Sequence, residues 1–300
     1  MKIYHSYEHV PYEATAVALG EFDGLHTAHM SLIRQTEAIA AYNNIPFGVM
    51  CLDNKIGMKT AKGESGMLCE KNEKLQLLSH CDFLYIQHFD DSFKALSPEE
   101  FCDFLKERLH AYAVFAGFNY RFGKNAEGDV NTLFGYNGFK VNIADEYKIN
   151  GVTVSSTEIR RRINDGDIET ANVFLGRPYK LSGIVEHGKQ NGRKMGFPTV
   201  NLKYNPKMQL PAFGVYAGFV IMNGMRLPGV INIGKNPTFN ADKVTVEAYI
   251  FDFETDVYGR YIEIEFIKRL RPDSRFKDIL MLKRQIETDN KNAAYILDNL

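Results

Sequence analysis

Apolar positions along the chain fall into two textures. Up to residue 178, solid apolar runs alternate with longer stretches in which apolar residues recur every three or four positions. "TAVALG", "PFGVMCL", "DFLYIQHF" and "AVFAGFN" read as strands, and "AHMSLIRQTEAIAAYNN", "EKNEKLQLLSH" and "SPEEFCDFLKERLHAY" as helices. In the last of these, Ser97 stands as N-cap, Pro98 at the first helical position, and Glu99 and Glu100 in the first turn. Strands alternating with helices predict a parallel sheet covered on both faces, an α/β architecture of the nucleotide-binding type.

After "FLGRPYKLSG" the helical period disappears. "SGIVEHG", "FPTVNLKY", "GVYAGFVIMNGMRLPGVINIG", "TVEAYIFDF" and "RYIEIEFIKRL" are short runs rich in β-branched and aromatic residues, and Asn223-Gly224 between two of them predicts a two-residue hairpin turn. Strands without intervening helices predict an antiparallel barrel or sandwich. A closing helix near 277–297 places Ile279, Leu282, Ile286 and Ala293 at helical spacing to pack against it. The reading is therefore two domains, 1–178 and 179–300, with no internal repeat.

Composition narrows the class. With 45% apolar and 24% charged residues, no apolar leader at the first residues and no apolar run of bilayer length, the expectation is a cytoplasmic protein without a membrane partner. Cys51, Cys69, Cys81 and Cys102 lack CxxC spacing and read as reduced, buried thiols. Residues 1–178 carry 18 Lys/Arg against 24 Asp/Glu, and 179–300 carry 18 against 13. The basic second half suits an anionic ligand, yet no basic run or aromatic platform points to nucleic acid.

Candidate chemistry begins where the first buried strand turns into a helix, "GEFDGLHTAH". Gly20 and Gly24 allow a sharp turn, and His26 and His29, three apart at a helix N-terminus, share a face from which they can donate to phosphate oxygens. A zinc pair or two plain loop histidines are the competing readings. "GFNYRFGKNAEGD" follows a strand as a nucleotide-contacting loop would. "VSSTEIRRRINDGD" places Ser156 and Thr157 as helix caps just ahead of Arg160, so hydroxyls, free N–H groups and a guanidinium could meet one phosphate, with Arg161 and Arg162 facing solvent.

These blocks, with "GIVEHGKQNGRKMGFPTVNL", "GVYAGFV", "GVINIGKNPTF", "VEAYIFDF" and "DVYGRYIEIEFIKRLRP", resemble the bacterial bifunctional riboflavin kinase/FAD synthetases over essentially the full length. The resemblance implies a Rossmann-like N-terminal domain that joins AMP from ATP to FMN, and a C-terminal six-stranded barrel with a terminal helix that phosphorylates riboflavin. It implies that His26, His29, Ser156, Thr157 and Arg160 surround the reacting phosphates, with Gly20, Phe22, Asp23, Gly24 and Asn119 in the same nucleotide site.

In the barrel the resemblance makes Glu247 the base, Thr199 and Asn201 the Mg²⁺ ligands, and Arg271 and Pro272 part of the flavin site. Gly188, Gly192, Gly196 and Pro198 belong to a loop over the ATP phosphates. Thr199 and Asn201 are two apart, so on a strand they point the same way. Two positions depart from the family: Ala28 stands where its HxGH motif has glycine, and Tyr249 where histidine is common. A flavin-binding regulator, or a kinase with a degenerate N-terminal half, remains the alternative, and self-association stays open.

Overall fold

The computed structural model describes residues 1–53, 59–60, 63–64, 66–188, 196–238, 241–253 and 255–300. The chain divides into two compact units, Met1–Ser156 and Thr157–Leu300.

The first unit is built on strands β1 (Lys2–His5), β2 (Thr15–Leu19) and β3 (Phe47–Asp53), a two-residue pair β4 (Lys59–Thr60) and β5 (Gly63–Glu64), then β6 (Phe83–His88), β7 (Ala111–Gly117) and β8 (Lys140–Ala144), and a second short pair β9 (Lys148–Ile149) and β10 (Val152–Thr153). Its helices are α1 (Thr27–Asn43), α2 (Lys71–Leu77), α3 (Asp91–Lys94), α4 (Pro98–Arg108) and α5 (Val130–Gly135). Six strands form one sheet in the order β1-β6-β3-β2-β7-β8, and every neighbouring pair is parallel.

Strand β2 is buried at all five positions and divides its side chains by the two-residue period. Val17 and Leu19 join Phe101 and Leu105 of α4 on one face; Ala16 and Ala18 join Leu32 and Ile33 of α1 on the other. Helix α4 has the expected Ser97 N-cap, and Glu100 completes a capping box: Glu100 N–H donates to Ser97 Oγ at 3.1 Å and Ser97 N–H to Glu100 Oε2 at 2.7 Å. The edge strands β1 and β8 escape sequence reading because neither has a fully buried position.

In the second unit α6 (Ser156–Asp165, beginning at the last residue of the first unit) and α7 (Ile168–Leu175) precede strands β11 (Tyr179–Glu186), β12 (Thr199–Tyr204), β13 (Gly214–Met222), β14 (Met225–Thr238), β15 (Ala241–Ile250) and β16 (Tyr261–Pro272), and α8 (Ile279–Asp298) follows. The strands close a barrel in the order β11-β12-β15-β14-β13-β16. Asn223 and Gly224 take φ of 51° and 77°, the twin left-handed residues of a type I′ turn. Opposed pairs Ile231↔Ala248 and Ile233↔Val246 are at most 1% exposed and fill the interior. Val230, one residue out of phase, packs with Ala293 and Leu297 of α8 on the outside.

Two details differ from the sequence reading. The change of texture falls at 178, whereas α6 and α7 pack with the barrel: Asn172 Nδ2–H donates to Phe266 O at 2.8 Å, Tyr179 N–H to Asn172 Oδ1 at 2.7 Å, and Ala212 N–H to Ile163 O at 3.1 Å. At the far end, Ile279 is 73% exposed and does not pack on the barrel; α8 buries Asp289, Ala293 and Leu297 instead. The apolar period there is correct, but the helix meets the barrel only along its later turns.

Candidate functional site

In the parallel sheet the chain goes from β2 to β3 on one side, and β7 later pairs on the other side of β2. The loops leaving β2 and β7 therefore part at a topological switch point, where ligands of open α/β sheets bind. A cleft of 590 Å³ lies there, lined among others by Leu19 and Gly20 after β2, His26, Ala28 and His29 at the start of α1, Gly117 to Arg121 after β7, and Ser156.

The β2–α1 loop is shaped by its own buried residues. Phe22 and Leu25 are fully buried yet take φ of 49° and 42°, and Gly24 takes 79°. The Phe22 ring folds back so closely over Gly20 that a Cβ there would meet it at 3.0 Å. The Asp23 carboxylate accepts the Leu68 N–H at 3.1 Å, and the Asp23 carbonyl accepts the Ser156 hydroxyl at 2.9 Å. Phe22, Asp23 and Gly24 thus underlie the cleft without lining it, and Ser156 stands inside the first turn of α6 with its hydroxyl given to the loop.

His26 is the N-cap of α1, and its Nδ1 accepts the His29 N–H at 3.3 Å. The acceptor role leaves the ring proton on Nε2. The two imidazoles stack with centroids 3.6 Å apart and planes 15° from parallel. Burial, then the neighbouring His26 and Lys74, hold His29 well below the ordinary histidine range, and its Nδ1 is buried with no hydrogen-bond partner among the described residues. With His29 neutral, the pair does not carry two positive charges near neutral pH. The α1 N-terminus, with no acidic residue in its first turn, adds a partial positive charge.

Asn119 lines the same cleft. Sequence reading missed Arg121, Tyr147, Thr153 and Gln35, which also line it. Thr157 and Arg160 belong to the second unit, on α6. Arg161 and Arg162 there hold Glu158, with N–O distances of 2.6 and 2.8 Å, and the Arg161 hydrogen bond is foremost in keeping that carboxyl down at about 2. Arg161 also pairs with Asp165, and Arg162, the less exposed of the two, with Asp167.

On the barrel, register brings a second group together. Glu247 of β15 lies opposite Asn201 of β12 on one side and Asn232 of β14 on the other. All three are out of phase with the interior residues and so face outward. The Thr199 hydroxyl donates to Glu247 Oε2 at 3.3 Å. The chain after β11 passes so close that a Cβ on Gly188 would fall 2.2 Å from Asn201 Nδ2. Gly196, with φ of 90°, and the exposed Pro198 lead back into β12, while Gly192 lies outside the described residues. Tyr249 meets Phe197 and Phe251 edge to face.

Arg271 is tied inward. Its Nε and Nη2 reach the Asp289 carboxylate at 3.0 and 2.9 Å, and Nη1 donates to Pro272 O and Ser274 Oγ. The guanidinium thereby locks the end of β16 to α8. All four cysteines are buried and unbridged, and burial raises Cys81 to about 12 and Cys102 to about 11. Among the described residues no helix is long and apolar enough to cross a membrane, and no cluster of three His, Cys, Asp or Glu could hold a metal.

Comparison with known proteins matches both units. A family model described as FAD synthetase matches residues 10–158, and one described as riboflavin kinase matches 175–297. A bifunctional riboflavin kinase/FMN adenylyltransferase of Listeria monocytogenes is 35% identical, the match covering 92% of this chain and 90% of that protein. Those of Bacillus subtilis and Escherichia coli are 35% and 33% identical, with 93% and 95% of their lengths covered. A crystal structure described as a macrolide-efflux protein from Streptococcus pneumoniae superposes with a TM-score of 0.86 at 28% identity, covering 96% of this chain and 97% of that one. Two family models in sequence, and relatives at 33–35% identity matched over 90% or more of their length, establish that the chain belongs to the family of bifunctional riboflavin kinase/FMN adenylyltransferases.

Proposed function

We propose that the chain phosphorylates riboflavin to FMN on its barrel and joins AMP from ATP to FMN, giving FAD and pyrophosphate, in the cleft of its parallel sheet. The observation that carries the first half is the Thr199–Glu247 hydrogen bond beside Asn201 on the outer face of the barrel. A carboxylate so placed can take the proton of the riboflavin 5′-hydroxyl as that oxygen attacks the γ-phosphorus of ATP and ADP leaves.

The Thr199 hydroxyl, the Asn201 amide oxygen and one carboxylate form a hard-oxygen set of the kind that holds Mg²⁺ through few protein ligands. When bound, Mg²⁺ supplies neutralisation of the β- and γ-phosphate oxygens.

In the first unit the nucleophile is a phosphate oxygen of FMN, already an anion, and no base is required. The demand is for donors at the α-phosphate and at the departing pyrophosphate. His26 Nε2–H and the first amides of α1 meet it, with His29 stacked on His26 to fix its ring, and Asn119 in the lining of the same cleft. Thr157 and Arg160 match the family's STxxR element. ATP dependence and four reduced thiols support a cytoplasmic location, and nothing in the charge pattern favours nucleic acid.

The test is incubation of the purified protein with riboflavin, ATP and Mg²⁺, followed by separation of FMN from FAD. FMN and then FAD are expected. FMN alone would favour a degenerate first unit, and neither product would favour the flavin-binding alternative.

A further inference from the structure

The stacked histidines leave an electrostatic deficit: the proposed adenylyl transfer gathers several negative charges beside a pair in which His29 is held neutral. A fixed cation lies beneath them. Lys74, in the middle of α2, is only 9% exposed. Among the described residues its ammonium has one hydrogen-bond partner, the Glu21 carbonyl at 3.4 Å, and no carboxylate within ion-pair distance. Glu21 itself lines the cleft, one residue beyond Gly20. Lysine is almost never buried unless paired, because an ammonium removed from water without a counter-charge costs several kcal/mol. A fold that keeps it there has a use for the charge.

We propose that Lys74 is a positioning residue for the anionic end of the nucleotide: its buried charge sets a positive potential under the β2–α1 loop, and its bond to Glu21 O holds that loop in place. The triphosphate, and pyrophosphate after transfer, are then the missing counter-anion. Lys74 acts through the loop and through space, since it does not line the cleft. The field is already felt nearby: Lys74 contributes to lowering His29, and it opposes the burial that raises the Cys51 thiol. Sequence reading placed Lys74 on a helix and gave it no role, because its burial follows only from where α2 docks.

The inference rests on the proposed FMN adenylyltransferase reading, and one set of measurements separates the two. In the full chain, Lys74→Met removes the charge while keeping length, and Lys74→Arg keeps it. For each, FAD formation from FMN and ATP is measured, with FMN formation from riboflavin as a control on the same molecule, binding of inorganic pyrophosphate by calorimetry, and the thermal midpoint. Lys74→Met is expected to lose about tenfold or more in kcat/KM for ATP in FAD formation and a similar factor in pyrophosphate affinity, as for a charge-assisted contact. FMN formation should stay unchanged and the midpoint should rise, because an unpaired ammonium no longer has to be buried. His29, followed by its ring proton signals, should titrate higher than in the parent chain.

Lys74→Arg should retain pyrophosphate binding within about threefold, as expected when the charge rather than the lysine geometry is what acts. A merely structural lysine gives the opposite pattern: a lower midpoint in Lys74→Met with pyrophosphate affinity and His29 titration unmoved, and that result overturns the proposal. If Lys74→Met does not fold, an equal loss of pyrophosphate binding in folded Lys74→Arg and Lys74→Gln would also overturn it. A parent chain that makes FMN but no FAD overturns the underlying reading, and this inference with it.

Discussion

Where the barrel unit can be cut is decided by α6 and α7. A fragment beginning at residue 179 keeps all six strands and α8 but removes four bonds to the barrel: Asn172 to Phe266 O, Tyr179 N–H to Asn172, Ala212 N–H to Ile163 O, and Arg269 Nη1 to Asp165 O. At a net 1 kcal/mol or so for each, their loss costs about 4 kcal/mol. Helix α7, which lies on β11 and β16, also buries Ile168, Phe174 and Leu175 to 3% exposure or less. Exposing the strand surface they cover adds roughly 3 kcal/mol, taking half of the burial value of those side chains. The combined loss, about 7 kcal/mol, is comparable to the whole stability of a domain this size.

Fragments 157–300 and 179–300 would be compared by urea unfolding, followed by circular dichroism, and by FMN formation. The longer should unfold in one transition and make FMN; the shorter should lack a folded baseline in buffer. Midpoints within about 0.5 M urea of each other would refute the reasoning, since with m near 2 kcal/mol/M that difference is only about 1 kcal/mol.

Other expectations follow from the two sites. Thr199→Ala and Glu247→Gln should each reduce FMN formation about a hundredfold or more while adenylylation of supplied FMN continues, as judged by chromatographic assay of both products. Ala28 lines the cleft in the first turn of α1; Ala28→Gly should raise the rate of FAD formation or lower KM for ATP, at up to about 1 kcal/mol of helix stability, and an unchanged rate would mean the methyl points away from the nucleotide. His29 is held low when folded, so below about pH 6.5 the unfolded chain binds a proton that the folded chain does not, and stability falls as pH drops, by up to about 1.4 kcal/mol per unit, until the folded value is reached. Replacing His29 by Gln should flatten that acid flank in urea midpoints taken from pH 7.5 to 5.

What could be read from the sequence was what is local. The Ser97 N-cap, the Asn223-Gly224 turn and the solid burial of β2 each depend on residues within a few positions of one another, and each appears in the structure as read. The cleft was half legible. His26 and His29 announce themselves at a strand-to-helix turn, whereas Arg121, Tyr147 and Thr153 come to line the same cleft through tertiary placement, β7 returning to the side of β2 opposite β3. Asn232 illustrates the same limit on the barrel: its place beside Glu247 is set by register between β14 and β15, which no local pattern encodes. Ile279 had the right period but the wrong end of its helix.

The turn that carries His26 has a further consequence. Bulky residues adopt left-handed backbone only at a cost of order 1–3 kcal/mol each, and Phe22 and Leu25 both do so with their side chains fully inside the core. The loop's shape is therefore set when the core condenses, before any nucleotide arrives. Affinity for ATP is then not spent on ordering the backbone, and replacement of either residue by a smaller apolar one would appear as slower capture and a softer, more variable anion site rather than as a missing contact. Preorganisation of this kind is built from hydrophobic side chains that never meet the ligand.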